Sequence, residues 1–296
     1  MLNLWIGLCR GVAGLPRDFY DLGYHDKWIE YSFANQDLAH VAPDLIIASK
    51  QTQHAILFEI KSGANTDNEQ LTRYSRVSQD DLVRRAALQQ NEAAQHDVAV
   101  MGSAEHQDRL ETGVTESGFA FPLVLADKDG IYLHLYSFKT PSVDGVLTPR
   151  LEIDMDQVPA FVPVDVESTI VTLAEVVIPY VITSLFQRPA QIRLESICMG
   201  ICPATWDSMG TEPKGVIRGK VRDVLRRAST ARFVDTFHFT NNDILEIRNN
   251  PLELGARMQS REFQSLKRRQ EEFLQDLHGQ QAGARQLGLD EAEANN

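Results

Sequence analysis

The sequence predicts an α/β protein with a mixed sheet flanked by helices, followed by a mainly helical C-terminal region. The first observation is a pair of apolar runs, Leu45–Ala48 and Ala55–Phe58, which have the length of buried strands and are close enough to form a hairpin. The second is a set of later strand patterns with Asp129-Gly130 as a hairpin turn. The third is the last third of the chain, where apolar residues recur at helical spacing. The later strand patterns are Asp97–Gly102, Phe121–Ala126 and Ile131–Phe138.

The segments before the hairpin are assigned from composition and periodicity. Leu2–Leu15 is apolar and rich in glycine, and we expect a strand or loop there. His25–Leu38 is predicted to form a helix, because Trp28, Ile29 and Phe33 are available for an apolar face. Together with the hairpin and the later strands, these segments give a sheet that can seat a site at one edge.

Two acidic residues stand at the outer ends of the hairpin strands, and a lysine follows them. If the hairpin is regular and centred in Gln51–Thr52, residues whose numbers sum to 103 lie opposite each other, so Asp44 faces Glu59. Like charges at opposed positions are destabilising, and Mg²⁺, which prefers carboxylate oxygens, would compensate them. Lys61 points to the same face as Glu59, whereas Ile60 points into apolar packing. A solvated strand end is the alternative interpretation, which the opposed aspartate disfavours.

A helix is expected to follow the hairpin. Thr66 and Glu69 have the spacing of a capping box, and Gln70 and Tyr74, four residues apart, share one face of that helix. Arg73 on the same helix is a candidate for contact with a nucleic-acid phosphate. The alternative interpretations are a solvent-facing glutamine, a packed tyrosine and a solvated arginine.

These motifs together resemble the PD-(D/E)XK nuclease superfamily, which has the restriction-endonuclease-like fold. The resemblance covers about residues 21–139. It is carried by Pro43-Asp44, by Glu59-Ile60-Lys61-Ser62-Gly63 after an apolar strand, and by Gln70-x-x-x-Tyr74, which is similar to an element of the RecB-like branch.

The resemblance implies roles for individual residues. Asp44 and Glu59 would hold Mg²⁺, for which Mn²⁺ is expected to substitute, and the backbone carbonyl of Ile60 would be a further ligand. Lys61 would be catalytic, and Gln70 and Tyr74 would complete the catalytic set from the helix. In that family an acid on the first helix often joins the metal site, which makes Glu30 a candidate ligand. A solvated helix carboxylate is the alternative interpretation of Glu30.

Proline-bearing segments divide the sequence into domains. Thr140–Asp144 and Val158–Val164 lack a helical period and indicate a boundary. The expected organisation is a nuclease domain over 1–140, a linker over 141–165, a helical domain over 166–277 and a disordered tail over 278–296, which is rich in glutamine, glycine, alanine and acidic residues.

The helical domain contains a basic helix at 213–228. The order helix, helix, basic helix and hairpin, with strands at Phe233–Phe239 and Ile244–Ile247, is typical of a winged helix-turn-helix, in which the basic helix enters the DNA major groove. A helical appendage with one basic, solvated face is the equal alternative. The candidate nucleic-acid contacts on this helix are Lys214, Arg218, Lys220, Arg222, Arg226 and Arg227.

Composition limits the function classes. A formal net charge of −12 excludes a uniformly basic nucleic-acid-binding protein, so positive charge must be concentrated locally. Cys9, Cys198 and Cys202 cannot fill a four-cysteine cluster and are predicted to be buried thiols. The N-terminus lacks the basic region of a signal peptide, and Ile170–Phe186 contains a glutamate and a proline, which favours a core helix over a membrane span. We therefore expect a cytoplasmic protein without membrane contact.

The favoured hypothesis is a Mg²⁺-dependent DNA endonuclease that hydrolyses phosphodiester bonds. By resemblance it would act in phage defence, restriction or mobile-element processing, as a homodimer or with a partner protein of a defence or transposition system. The alternative hypothesis is a catalytically inactive DNA-binding or assembly subunit of a larger nucleic-acid complex. The sequence leaves open the target, DNA versus RNA, and the endo or exo mode of cleavage.

Overall fold

The computed structural model describes residues 1–252 and 257–294, and for residues 281–294 it describes the backbone alone. The chain divides into two compact units. The N-terminal unit comprises Met1–Val162 and Asp207–Glu212, and the C-terminal unit comprises Pro163–Trp206 and Pro213–Asn296. The predicted α/β class and the helical C-terminal region are confirmed.

The N-terminal unit is built on a mixed sheet. Its strands are β1 (Tyr24–Ile29), β4 (Leu45–Ser49), β5 (His54–Ile60), β6 (Gln95–Ser103), β7 (Leu123–Asp127), β8 (Gly130–Leu135) and β9 (Leu151–Glu152), while β2 (Phe33–Ala34) and β3 (His40–Val41) form a separate ribbon. Among the described residues the sheet has seven strands in the order β1-β4-β5-β6-β7-β8-β9. β6 is parallel to both β5 and β7, and the remaining neighbours are antiparallel.

Helices cover both faces of this sheet. One face carries α1 (Leu2–Arg10), α2 (Asp18–Asp21) and α6 (Pro141–Leu147), and the other carries α3 (Asn68–Ser75), α4 (Gln79–Arg84) and α5 (Gln107–Glu116). Successive side chains of a strand alternate between the faces. Ile56 and Phe58 therefore pack towards α1, whereas Leu57 packs towards α3 and α4. By the same alternation, Glu59 faces α3.

Two predictions about the first forty residues are wrong. Leu2–Arg10 is helical rather than a strand or loop, and its residues Leu4–Cys9 are all buried. A helix that is apolar on all sides shows no amphipathic period, so its sequence resembles that of a buried strand. His25–Leu38 is not a helix, because Tyr24–Ile29 pairs with β4 and its bulky side chains suit a pleated surface.

The predicted linker is also wrong over most of its length. Residues 141–162 belong to the N-terminal unit, where they form α6 and the edge strand β9. Proline does mark this stretch, but Pro141 occupies the first turn of α6, a position where its missing N–H costs nothing.

The C-terminal unit combines helices with a small sheet. Its elements are α7 (Ile170–Ser184), β10 (Gln191–Arg193), α8 (Leu194–Ile201), α9 (Thr211–Thr230, from residue 213 onwards), β11 (Phe237–Phe239), β12 (Ile244–Ile247) and α10 (Arg261–Ala294). The strands are antiparallel in the order β10-β12-β11. The strand β10 directly precedes α8.

Two long helices bear on further predictions. Ile170–Gln187 passes a length and composition test for a membrane span, but 44% of it is buried inside the structure, and core helices pass the same test. The cytoplasmic location stays a prediction. The helix α10 continues to Ala294 and so enters the predicted disordered tail, since alanine, glutamine and glutamate favour helix. Asn295 and Asn296 lie outside the described residues.

Candidate active site

The register of the β4–β5 hairpin is the one predicted. The pairs run from Leu45 opposite Phe58 to Ser49 opposite His54, and each pair sums to 103. Continuing this register by one pair places Asp44 opposite Glu59, and the Asp44 N–H donates to the Phe58 carbonyl at 3.0 Å. The two predicted acids therefore lie at the same end of adjacent strands.

Glu59 is almost completely buried and accepts hydrogen bonds from α3. The Tyr74 hydroxyl and the Gln70 Nε2 each donate to Glu59 Oε2 at 2.9 Å, and Gln70 Nε2 also lies 3.1 Å from the Tyr74 oxygen. The N-cap of α3 is Asp67, whose side chain accepts from the N–H groups of Glu69 and Gln70, so the predicted capping box at Thr66 is wrong. This cap fixes the helix end directly before Gln70.

Lys61 completes the network from the end of β5. Its Nζ donates to Glu59 Oε1 at 2.8 Å and to Gln70 Oε1 at 3.0 Å, and its side chain is 15% exposed. The Lys61 N–H donates to the Met101 carbonyl of β6 at 2.8 Å, which fixes the backbone at this point. The ammonium therefore stands at the surface end of a cluster in which Glu59 and Tyr74 are buried.

Asp44 is the acid of the site whose pKa is shifted. Burial, followed by the charge of Glu59, raises the pKa of Asp44 from its usual 3.8 to about 7, and Glu30 adds to the rise. The Ile60 N–H, which donates to Asp44 Oδ2 at 2.5 Å, and Lys61 oppose it. Burial and the adjacent Glu59 also raise the pKa of Tyr74, so Tyr74 acts as a neutral hydrogen-bond donor.

The donor set fits a hard divalent cation. Asp44, Glu59 and a backbone carbonyl offer oxygen atoms, which Mg²⁺ prefers, and a bound cation would oppose the rise in the pKa of Asp44 that burial and the charge of Glu59 cause. Within the described residues, no cluster of three or more His, Cys, Asp or Glu side chains is placed to hold a metal ion. The Ile60 side chain packs towards the α1 face, so Ile60 can offer only its backbone carbonyl to a cation.

Glu30 lies beside the site but not on a helix. It follows β1 in a left-handed conformation with φ of 47°, and its N–H donates to the Asp44 carbonyl at 3.0 Å. The prediction that a first helix delivers this acid is wrong, since β1 delivers it instead. Its role as a metal ligand stays a prediction.

Arg73 is positioned on α3 one turn after Gln70. Its Nε is buried without a hydrogen-bond partner in the part of the chain that the structure describes. Its backbone carbonyl accepts from Asn35 Nδ2 at 3.1 Å. Contact of this guanidinium with a phosphate stays a prediction.

The cations of α9 lie in the C-terminal unit, and several have intramolecular partners. Arg218 pairs with Glu195, Arg222 forms two hydrogen bonds with Asp243, and Lys220 donates to the carbonyls of Val166 and Ser168. Lys214 lies 5.7 Å from the centre of the Trp206 ring. Arg226 and Arg227 are exposed, and Arg227 donates a long hydrogen bond of 3.3 Å to Gln280.

The three cysteines and Asn35 are the remaining buried residues that bear on the predictions. All three cysteines are buried and free, as predicted, and burial raises the pKa of Cys198 to about 12 and that of Cys202 to about 11. Sequence reasoning missed Asn35, a fully buried residue that ties the β2–β3 ribbon to α3. Its signal was an asparagine followed by polar residues, typical of a turn, which the wrong helix assignment concealed.

Comparison with known proteins places the chain in a family. No curated protein and no solved structure matches it. Residues 1–159, which include every element of the candidate site, match the family model of the MJECL32 domain. Because this match spans more than half of the chain, the protein belongs to the MJECL32 domain family.

Proposed function

We propose that the protein is a metal-dependent nuclease of the PD-(D/E)XK type that hydrolyses phosphodiester bonds in DNA. The observation that carries the proposal is the single network formed by Glu59, Lys61, Gln70 and Tyr74, with Asp44 beside Glu59 on the neighbouring strand. Sequence spacing predicted these five residues as one site.

The order of elements supports a restriction-endonuclease-like fold. A strand, β1, precedes the antiparallel β4–β5 hairpin, and helices α3 and α4 then lead to β6, which is parallel to β5. Because β5 and β6 are parallel, their carboxyl ends meet at one edge of the sheet. Both Glu59 and Lys61 stand at this edge, where a substrate can approach.

Each residue has a chemical task in the proposed reaction. Asp44, Glu59 and the Ile60 carbonyl would hold Mg²⁺, which when bound polarises a phosphate oxygen and lowers the pKa of a coordinated water. Lys61 orients the attacking water and stabilises negative charge that develops on the phosphate. Gln70 and Tyr74 hold the Glu59 carboxylate in place, and Gln70 also holds the Lys61 ammonium.

The C-terminal unit supports a role in DNA recruitment. Its order α7, β10, α8, α9, β11 and β12, with a β10-β12-β11 sheet, is compatible with the proposed winged helix. In this proposal the exposed Arg226 and Arg227 contact the phosphate backbone. An action in defence or mobile-element biology, and a homodimeric or partnered state, remain proposals from the resemblance.

The test is a cleavage assay with the full chain. Supercoiled, linear and single-stranded DNA are incubated with Mg²⁺, Mn²⁺ or EDTA, with wild type and Asp44→Ala compared with Asp21→Ala, an exposed acid of the same unit. We expect cleavage in Mg²⁺ and Mn²⁺ by wild type and Asp21→Ala, and none by Asp44→Ala. DNA binding in EDTA without cleavage in either metal would instead favour the inactive-subunit hypothesis.

A further inference from the structure

The tip of the β2–β3 ribbon presents one exposed leucine. Leu38 is 74% exposed, more than any other large apolar side chain in the described part of the chain. Its φ of 61° is left-handed, a conformation that leucine rarely adopts and that glycine or asparagine would adopt more readily. A leucine that is both largely exposed and in a strained backbone conformation indicates a role outside the folded chain.

The ribbon holds Leu38 rigidly. The Leu38 N–H donates to the Asn35 carbonyl at 2.9 Å, and the buried Asn35 Oδ1 accepts from the N–H groups of Asp37 and Ala39 at 3.0 Å each. Arg85 donates to the carbonyls of both Ala34 and Asn35. The backbone of the tip is therefore fixed from below by side-chain hydrogen bonds.

Residues of the tip are also fastened to α3, the helix that carries Gln70 and Tyr74. Asn35 Nδ2 donates to the Arg73 carbonyl at 3.1 Å, and Asp37 pairs with Arg76 at 3.2 Å. Arg73 follows Gln70 by three residues, so Asn35, three residues before Leu38, is bound to α3 one turn after Gln70. The Nε of Arg73, on the same helix, is buried without a hydrogen-bond partner among the described residues.

We propose that Leu38 is a wedge that enters the base stack of duplex DNA bound at the active site. Apolar side chains, leucine among them, insert between base steps and partly unstack them. An isolated apolar tip among exposed polar neighbours, Gln36, Asp37 and His40, is too small for a protein-docking patch but matches the gap between two bases. Arg73 would contact a phosphate beside the opened step. This inference rests on the proposed function, since it places duplex DNA at Asp44 and Glu59.

The experiment measures base unstacking without cleavage. The full chain is titrated in EDTA against duplexes that carry 2-aminopurine at successive positions, because the fluorescence of this base rises when it unstacks. We expect wild type to increase the fluorescence at one step and Leu38→Ala to lose this increase, while Leu38→Phe retains it. The unfolding midpoint of each variant is measured alongside and should stay close to that of wild type.

A matched control comes from the other end of the sheet. Tyr136 is also exposed, also left-handed with φ of 53°, and follows β8, whose carboxyl end lies at the edge opposite Lys61. Tyr136→Ala should keep the full fluorescence increase. An increase that persists in Leu38→Ala, or no increase with wild type, overturns the wedge.

The two proposals fail separately in this design. Cleavage by wild type with no change in 2-aminopurine fluorescence removes the wedge and leaves the nuclease. A leucine-dependent fluorescence increase without cleavage in Mg²⁺ or Mn²⁺ removes the nuclease and leaves a duplex-distorting binding protein.

Discussion

In the N-terminal unit, four polar side chains converge through hydrogen bonds on one edge of the sheet, whereas in the C-terminal unit the cations of α9 go to separate partners. The charges of the two units differ as well. The N-terminal unit contains 13 basic and 25 acidic residues, and the C-terminal unit contains 16 of each, so the whole net charge of −12 belongs to the unit with the candidate site.

The difference shows what concentrated charge does in each unit. At Asp44 and Glu59, two acids remain adjacent although burial, followed by the charge of Glu59, raises the pKa of Asp44, a cost that a fold without a site would have no reason to retain. In α9, Arg218 and Arg222 neutralise acids of their own unit, and such pairs satisfy the folded chain without any ligand. Charge that opposes folding therefore indicates function more strongly than charge that supports it.

The largest expected effect comes from removing Lys61. Lys61→Ala should lower the DNA cleavage rate by about 10²–10³-fold, because the ammonium no longer stabilises charge developing on the phosphate. Lys50→Ala, which removes an exposed lysine from the turn of the same hairpin, is the control and should cleave at the wild-type rate. Rates are measured on supercoiled DNA in Mg²⁺. If Lys61→Ala and Lys50→Ala cleaved DNA at equal rates, the Lys61 ammonium would have no role in catalysis. The hydrogen-bonded cluster of the N-terminal unit would then be no better a candidate site than the paired cations of α9.

The acid pair predicts the pH dependence of the metal-free protein. Since the pKa of Asp44 is raised in the folded state to about 7, its contribution to stability is full below about pH 4 and declines as the pH rises towards 7. Asp44→Asn should remove this decline and increase the free energy of unfolding at pH 8 by about 1–3 kcal/mol, with little change near pH 3.5. Denaturant unfolding in EDTA at both pH values measures it. If Asp44→Asn were less stable than wild type at pH 8, the inferred destabilisation by the ionised Asp44 carboxylate would be contradicted.

The site was predictable because its information is local. The register of one hairpin brings Asp44 to Glu59, the period of two of a strand aligns Lys61, and the spacing of four residues on a helix aligns Gln70 with Tyr74. None of these steps requires knowledge of distant packing. The sequence also predicted the mixed sheet, the buried thiols and the helical last third.

The remaining features depend on tertiary context. The buried helix α1 has no period that separates it from a strand, and β1 is a strand because β4 offers it a pairing edge. The partners of the α9 cations come from other elements, such as Glu195 on α8 and Asp243 before β12. A count of lysine and arginine on one helix cannot show which of them remain available.

A smaller effect is expected from the hydroxyl of Tyr74. Tyr74→Phe leaves the packed ring in place and removes one of the two hydrogen bonds to Glu59 Oε2, so cleavage should fall about tenfold and stability by about 1 kcal/mol. Tyr132→Phe is the control, since its hydroxyl has only a long contact of 3.4 Å with Gln107. Cleavage rates and denaturant unfolding are compared for both variants. If the two behave alike, the network does not hold Glu59 for catalysis.

The smallest effects should separate the exposed from the paired cations of α9. Arg226→Ala and Arg227→Ala should each weaken DNA binding and reduce the slope of log affinity against log salt by about 1, because each removes one phosphate contact. Arg222→Ala should leave that slope unchanged and lower stability by up to about 1 kcal/mol, because it releases the partly exposed Asp243. Binding isotherms at several salt concentrations, paired with denaturant unfolding, measure both. If Arg222→Ala reduced the slope as Arg226→Ala does, intramolecular pairing would not decide which cations reach DNA. The charged groups of α9 would then differ from Asp44 and Glu59 only in how deeply they are buried.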